Sequence, residues 1–259
     1  MFKYCSLYSG SSGNSFFVQS DKTNLIIDAG VSLKKITTAL EEININVKDI
    51  NAILVTHDHI DHTKSLATLS NKFNIPVYAN EKTWNAIPNI ADKISNENKK
   101  IFNISQSFSI GDIKILPFHT PHDAADPCGF NLYNSNKKIS IATDIGYISE
   151  ELLNHLKNSS CILLESNYDP EVLKCSSYPY ILKQRILSDK GHLSNASAGK
   201  TLSSLYNFGL KNALLVHLSK ENNFPELAYE TIKNETVNCK NLSIDIAPRD
   251  NPSKLFEVC

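Results

Sequence analysis

The segment Thr56–Thr63, THDHIDHT, combines residue types and a spacing that could do chemistry. It holds three of the 8 histidines and two aspartates, directly after the apolar run AILV. Neutral imidazole and carboxylate are the usual ligands of zinc, manganese and iron. His57 and His59 lie two residues apart, so both can face one ion from an extended segment. Asp61 and His62 follow at once and can face a second ion after a turn.

Two simpler explanations compete with a metal pair. A solvated helix start would account for the aspartates and threonines, because these residues cap helices, but it leaves the histidine spacing unexplained. A single structural metal is the other alternative. Structural zinc sites usually contain cysteine thiolates, and no cysteine lies near this segment in the sequence.

Four polar residues stand where apolar strands are predicted to end. They are Asp28 after LII, His57 after AILVT, Asp144 after ISIAT and His217 after ALLV. Ligands of α/β proteins gather at the carboxyl edge of the sheet, so we expect these side chains to meet. Two cations about 3.5–4 Å apart would need a bridging carboxylate and further histidines. The sequence offers His122, Asp144 and His217 for these roles.

Composition describes an ordinary soluble protein. The chain has 259 residues, of which 41% are hydrophobic and 20% charged, and its formal net charge is −1. No global positive field would attract nucleic acid, so a phosphate-bearing substrate would need a local attraction such as bound cations. The six cysteines form no C-x-x-C pair, and no apolar run is long enough to span a bilayer. We expect a cytoplasmic protein with reduced thiols and no membrane association.

The order of predicted elements indicates an α/β fold in one domain, residues 1–259. Strands are predicted at FFVQS, NLIIDAG, AILVTH and IPVYAN, with helices at SLKKITTALEEINI and HTKSLATLSNKF between them. A β-rich stretch from residue 100 to 144 follows, and then helices alternate with the strands CILLES, NALLVHLS and LSIDIAP. Because the second half repeats the order of the first, we expect two sheets covered by helices, a four-layer αββα sandwich.

HDHIDH matches the H-x-H-x-D-H signature of the metallo-β-lactamase superfamily, whose fold is this sandwich. Longer stretches resemble the YycJ/WalJ family of bacterial metallohydrolases: SGSSGNS, PVYANEKTW, PHDAADP, ATDIGYIS, ESNYD, RILSDKGHLSN and VHLSKENN. The resemblance implies a 5′→3′ exonuclease acting on DNA. The superfamily signature alone says little about the substrate, because one fold hosts many activities.

The resemblance also implies a ligand set of two divalent ions, zinc or manganese, with iron as a further option. One ion would be held by His57, His59 and His122, the other by Asp61, His62 and His217, with Asp144 bridging both. Asp28 would hold the signature loop through hydrogen bonds, unless it is an ordinary strand-end aspartate. His119 competes with His122 for the ligand role, but PHD matches the family motif at His122.

His192 stands outside this set. The segment GHLSN resembles the G-H-x-S segment of β-CASP nucleases, in which the histidine faces the scissile phosphate and can protonate the leaving oxygen. A helix-capping or core histidine is the alternative. Only 47 residues separate Asp144 from His192, too few for the inserted cap domain of those nucleases. We therefore expect no β-CASP cap and a more open cleft.

Two further segments could contact the substrate. SGSSGNS lacks G-K-[ST] and predicts a tight turn beside the site, with Ser11, Ser12 and Asn14 available for contact. SSYPYILKQR interleaves aromatic and basic residues, namely Tyr178, Tyr180, Lys183 and Arg185. Such a run could stack a base and hold a phosphate, or could simply be an amphipathic helix with its polar face in water.

The predicted activity is two-metal hydrolysis of a phosphodiester in nucleic acid, with DNA favoured. Two cations would lower the pKa of a shared water toward about 7, and the resulting hydroxide would attack phosphorus in line. Asp61 would orient this nucleophile, and His192 would assist the leaving group. The alternatives are a small-molecule hydrolase of the same fold, acting on a cyclic phosphodiester, lactone or thioester, and a non-catalytic metal-binding module.

Overall fold

Two seven-stranded β-sheets packed face to face form the centre of the structure, a computed structural model in which residues 1–258 are described. The first sheet contains Lys3–Tyr8 (β1), Ser15–Gln19 (β2), Asn24–Ile27 (β3), Ala52–Leu54 (β4), Val77–Ala79 (β5), Lys99–Ile101 (β6) and Phe256–Glu257 (β14). The second contains Phe108–Ile110 (β7), Ile113–His119 (β8), Cys128–Asn134 (β9), Lys137–Ala142 (β10), Cys161–Glu165 (β11), Asn212–Val216 (β12) and Ser243–Ile246 (β13). The spatial orders are β14-β1-β2-β3-β4-β5-β6 and β13-β12-β11-β10-β9-β8-β7.

Helices connect the strands and cover the outer faces of both sheets. They are Leu33–Glu42 (α1), Ile60–Thr63 (α2), Leu66–Phe73 (α3), Glu81–Ala86 (α4), Pro88–Ala91 (α5), Glu150–Leu156 (α6), Pro170–Cys175 (α7), Tyr180–Leu187 (α8), Asn195–Tyr206 (α9) and Pro225–Glu235 (α10). Within residues 1–258, no helix has the length and apolar character needed to cross a membrane.

Both sheets change from antiparallel to parallel pairing along their length. β1, β2 and β3 pair antiparallel, whereas β3, β4, β5 and β6 run parallel. In the second sheet β7 to β10 pair antiparallel, and β10 to β13 run parallel. The repeat predicted from the sequence is therefore real. Because parallel strands end at the same edge, each sheet brings several strand ends together.

Three apolar layers hold the four structural layers together. In β3, Leu25 and Ile27 point into the layer between the sheets, while Ile26 points outward under the helices, as the two-residue period of a strand requires. Helices α1, α3 and α4 cover the first sheet, and α6, α9 and α10 cover the second. The predicted αββα sandwich is confirmed.

The structure divides one predicted helix and contains several elements that were not predicted. The predicted helix HTKSLATLSNKF is broken into α2 and α3, because Ser65 donates hydrogen bonds to Ala29 O and Val31 O. The elements that were not predicted are β1, α4, α5, α7 and β14. Residues 145–191 contain only α6, β11, α7 and α8 with their connections, and none of these forms a cap domain. Cys259, one of the six cysteines predicted to be reduced, lies outside the described residues, and the other five are free thiols.

We expect Phe130→Ala to lower the free energy of unfolding by about 3–5 kcal/mol. Phe130 is fully buried between the sheets, so its truncation leaves a cavity in the layer that joins both halves. Urea unfolding in the presence of a chelator measures this without a contribution from bound metal. Ile181→Ala, on a side chain that is 82% exposed, should change the value by less than about 0.5 kcal/mol. Equal losses in both variants would contradict the assigned core.

Candidate metal centre

Three residues of the site have left-handed backbone conformations at strand ends. Asp28 directly follows β3, Asp144 lies just past β10, and His217 directly follows β12, with φ values of 61°, 58° and 58°. Non-glycine residues in this region cost about 1–3 kcal/mol each and persist only where the surroundings enforce them. Such strain concentrates at functional sites, and here it marks one edge of the sandwich.

His57, His59 and His122 form the first group of candidate ligands. One ring nitrogen from each lies within 4.8 Å of the others. The Nε2 atoms of His57 and His122 are buried and lack a hydrogen-bond partner within the described residues. Burial lowers the pKa of both rings, that of His57 well below its ordinary value, so both are neutral. Unpartnered lone pairs converging from neutral imidazoles are what a divalent cation requires.

The Asp28 carboxylate determines which ring nitrogens are available. Its Oδ1 accepts from Thr56 N at 2.8 Å, and its Oδ2 lies 2.8 Å from Thr56 Oγ1 and 2.7 Å from His62 Nδ1. Because the Thr56 hydroxyl donates its only proton to the carboxylate, its oxygen accepts from His57 Nδ1, 2.9 Å away. His57 and His62 therefore both carry a proton on Nδ1, and their Nε2 atoms face the site.

Asp61, His62 and His217 form the second group, again with ligand atoms within 4.8 Å. Asp61 Oδ2 lies 3.5 Å from His62 Nε2 and 4.0 Å from His217 Nε2. Asn14 is buried behind this group, with its side-chain nitrogen 3.1 Å from His62 Nε2 and 3.4 Å from Asp61 Oδ2. Asn14 thus supports these side chains from within the protein, whereas Ser11 of the same loop lines the open cleft and Ser12 is exposed.

Asp144 lies between the two groups. Its Oδ2 is 3.3 Å from His62 Nε2 and 3.1 Å from His217 Nδ1, while its Oδ1 is 3.6 Å from His122 Nε2. Burial works in the opposite direction, but the rings of His217 and His62 hold the pKa of Asp144 well below its usual value. One ionised carboxylate thus has an oxygen toward each group.

His62 is the counterpart of this carboxylate. Burial alone would lower the pKa of its ring, but Asp144 and Asp28 outweigh burial and raise that pKa well above the usual value. The two carboxylates thus attract positive charge to His62, which a proton or a metal ion can supply. The donor set fits divalent cations in composition and in charge.

His192 lies next to both groups. Its ring centroid lies 5.2 Å from that of His122 and 5.3 Å from that of His217, and its side chain is 20% exposed in the cleft. Ser194, rather than His192, caps α9. His192 therefore does not cap α9, and its partly buried side chain reaches the cleft.

Glu165 is the residue that the sequence prediction missed. It ends β11, between β10 and β12, and is fully buried. Its Oε1 lies 2.7 Å from His192 Nδ1, and its Oε2 accepts from Ile145 N at 2.7 Å. Burial and the charge of Asp144 raise the pKa of Glu165 to about 8, while burial lowers the pKa of His192. The signal was available, because CILLE places an acid at the end of an apolar strand, just as LIID does.

His119 lies outside the cluster. It ends β8, its side chain is 57% exposed, and its nearest acidic partner is Asp126, with Nδ1 3.5 Å from Oδ1. His122, three residues later, has its Nδ1 2.9 Å from Gly191 O, which directs its Nε2 to the site. Of these two histidines, His122 lies in a group of candidate ligands and His119 does not.

The groups open into a cleft of about 210 Å³. One wall consists of Leu182, Arg185 and Ile186 of α8, together with Tyr178 just before the helix. Tyr180, which is 74% exposed, and Lys183 belong to the same run but do not line the cleft. The tertiary structure therefore separates the four aromatic and basic residues into two pairs.

We expect His122→Ala to lose bound metal and His119→Ala to keep it. The first change removes one of the convergent nitrogens, whereas the second removes a side chain that only contacts Asp126. Both proteins would be stripped with a chelator, reloaded with Mn²⁺ or Zn²⁺, desalted and analysed by mass spectrometry for metal per chain. Equal metal content in the two variants would contradict the first ligand group.

Comparison with known proteins agrees with this geometry. A model of the beta-lactamase superfamily domain matches residues 23–218. The chain is 43% identical over 236 residues to exodeoxyribonuclease WalJ of Streptococcus pneumoniae serotype 2 (strain D39 / NCTC 7466), which covers 90% of this chain and 88% of that protein. It is 40% identical over 222 residues to exodeoxyribonuclease YycJ of Bacillus anthracis, with 86% and 84% covered.

A solved structure shares the fold across the whole chain. Zn²⁺-bound PqqB from Methylobacterium extorquens superposes with a TM-score of 0.73 at 14% identity, covering 98% of this chain and 100% of that one. At such low identity the likeness concerns the fold alone. The family model and the two relatives show the family of this chain as well as its fold. The chain belongs to the metallo-β-lactamase superfamily and, within it, to the family of WalJ and YycJ.

Proposed function

We propose that this protein is a dinuclear-metal-dependent deoxyribonuclease that degrades DNA in the 5′→3′ direction. One observation carries the proposal: Asp144 lies between two candidate ligand groups, members of both groups line one cleft, and the His192–Glu165 pair lies beside them. The fold alone does not define a substrate, since it hosts many hydrolases. The exodeoxyribonuclease names of two relatives, 43% and 40% identical over most of the chain, favour DNA.

The proposed ligand set follows the two groups. His57, His59 and His122 would hold one ion, and Asp61, His62 and His217 the other, with Asp144 shared between them. Imidazole and carboxylate donors accept zinc and manganese alike, and iron as well. Bound there, the cations would supply a water of lowered pKa and would offset charge on the phosphoryl oxygens.

The protein's own residues would orient the substrate and move protons. Asp61 lines the cleft and is 23% exposed, so its carboxylate can accept a hydrogen bond from the attacking water and orient it. His192 would donate a proton to the leaving oxygen. Since Glu165 occupies Nδ1 of this ring, Nε2 is the nitrogen left for the leaving group. Glu165 would thereby hold His192 in one tautomer and one orientation.

The proposed activity predicts metal-dependent loss of nucleotides from one end of DNA. The stripped protein, reloaded with Mn²⁺ or Zn²⁺, would be incubated with 5′-labelled single- and double-stranded DNA, with RNA and with bis-p-nitrophenyl phosphate. Early release of the 5′ label as a mononucleotide is the expected result. Cleavage of the small diester alone would favour a small-molecule phosphodiesterase. Inactivity on every substrate with metal bound would overturn the phosphodiester proposal.

His192→Ala should lower kcat on DNA by roughly 10²–10⁴-fold, because an alkoxide leaving group needs a proton. The same variant should lose far less on bis-p-nitrophenyl phosphate, whose p-nitrophenolate leaves without protonation. Metal content, measured on the same samples, should match the wild type. An equal loss on both substrates would argue that His192 supports the site rather than acting on the leaving group.

A further inference from the structure

The cleft carries an unusual charge balance for a site that takes DNA. Asp61 and Asp144 line it, and of the described residues in its lining only Arg185 is a lysine or arginine. The chain as a whole has a net charge of −1, so no general field attracts a polyanion. A phosphate entering this cleft would therefore meet one cationic side chain of the protein, on the wall formed by α8.

Arg185 is held in place but still has donors available. Its Nε donates to Asp123 Oδ2 at 2.5 Å, and Asp123 Oδ1 lies 3.4 Å from His122 Nε2. The Arg185 side chain is 53% exposed, and within residues 1–258 its two terminal amino groups donate to no protein atom. Asp123 thus fixes the guanidinium of a cleft-lining arginine next to a candidate ligand and leaves its terminal amino groups without a protein acceptor among the described residues. A planar guanidinium edge with paired N–H groups suits phosphate oxygens.

Tyr178 provides an aromatic surface on the same wall. It packs against an apolar cluster formed by Tyr168, Leu173 and Ile186, and it also lines the cleft. A ring that is supported by the protein and reaches the open cleft can stack a nucleobase, and every base has a face to offer.

The two other aromatic and basic residues of this run, Lys183 and Tyr180, do not line the cleft. Lys183 Nζ donates to Lys174 O and Ser176 O, both at 2.7 Å, so it closes the end of α7. Tyr180 is exposed outside the cleft. Tyr178 and Arg185 therefore line the cleft. Tyr180 and Lys183, which have matching side-chain types, do not.

We propose that Arg185 and Tyr178 form a nucleotide subsite, in which Arg185 binds a phosphate next to the scissile bond and Tyr178 stacks the adjoining base. The inference rests on the proposed nuclease function for its substrate class. A base can stack on Tyr178 only after it has left its neighbours in a duplex. The subsite accordingly takes single-stranded nucleic acid, one nucleotide at a time.

Binding tests the subsite without relying on turnover. The probe is a 3′-fluorescein-labelled hexathymidylate with phosphorothioate linkages, added to the Mn²⁺-loaded protein, with Kd taken from fluorescence anisotropy. Arg185→Ala should raise Kd roughly tenfold or more, as expected for a lost phosphate contact. Lys183→Ala should leave Kd within about twofold. Similar Kd changes in these two variants would overturn the role of Arg185.

Tyr178 and Tyr180 are the matched residues that test base stacking. Tyr178→Ala should raise Kd by roughly 5- to 150-fold, the range for one base stacked on an aromatic ring, and Tyr180→Ala should not. An abasic version of the probe keeps the phosphates and removes the base. It should bind the wild type more weakly, and Tyr178→Ala should weaken it no further. An equal effect of Tyr178→Ala on both probes would overturn stacking.

Replacing Arg185 by alanine also removes the guanidinium that neutralises Asp123. The remaining negative charge could itself repel DNA. The double variant Arg185→Ala/Asp123→Asn removes that charge, so continued weak binding in the double variant supports direct phosphate contact. Recovery of wild-type Kd would instead assign the effect to Asp123 and overturn the subsite. Metal content and Tm of each variant, measured alongside, separate a structural loss from a lost contact.

The outcomes also separate this inference from the proposed function. If the wild type binds the probe with these differences but never cleaves unmodified DNA, the nuclease proposal fails and the subsite stands. If the wild type cleaves DNA while Arg185→Ala and Tyr178→Ala bind as tightly as it does, the subsite fails and the nuclease stands. A wild type that does not bind the probe would overturn the subsite directly.

Discussion

The site depends on one buried carboxylate, that of Asp28. It accepts hydrogen bonds from Thr56 N, Thr56 Oγ1 and His62 Nδ1, and through the threonine hydroxyl it also determines the tautomer of His57. One residue at a strained strand end thereby directs a ring nitrogen in each ligand group. A charged group is costly to bury unless it is fully hydrogen-bonded, and here the same bonds that satisfy it also orient the ligands.

The sandwich makes this arrangement possible. β3 of the first sheet places Asp28 at the site, and β10, β11 and β12 of the second sheet place Asp144, Glu165 and His217 there. Left-handed backbone turns Asp28, Asp144 and His217 out of their strands. Gly30 allows the signature loop to approach closely, because a Cβ there would lie 1.5 Å from Asp61 O. The strain and the close approach are supported by the three apolar layers, which hold the strand ends in position.

Helix α8 forms one wall of the cleft, and α7 packs next to it. These short helices lie between β11 and His192 in the chain, and their small apolar cluster is separate from the main layers. His122 Nδ1 bonds to Gly191 O, and Asp123 N donates to Lys190 O, so the wall is tied to the ligand loop. A shift of the wall would therefore move Arg185 and a candidate ligand together.

The sequence by itself determined the sandwich and the cluster of candidate ligands, because strand periodicity and the HDHIDH spacing are local properties. The PHD motif favoured His122 over His119, but the sequence did not separate Tyr178 and Arg185 from Tyr180 and Lys183. That choice depends on which element packs behind each side chain. Glu165 was overlooked although its strand-end position was readable. Its partnership with His192 joins residues 27 positions apart, and only the order of β10, β11 and β12 in the sheet decides that contact.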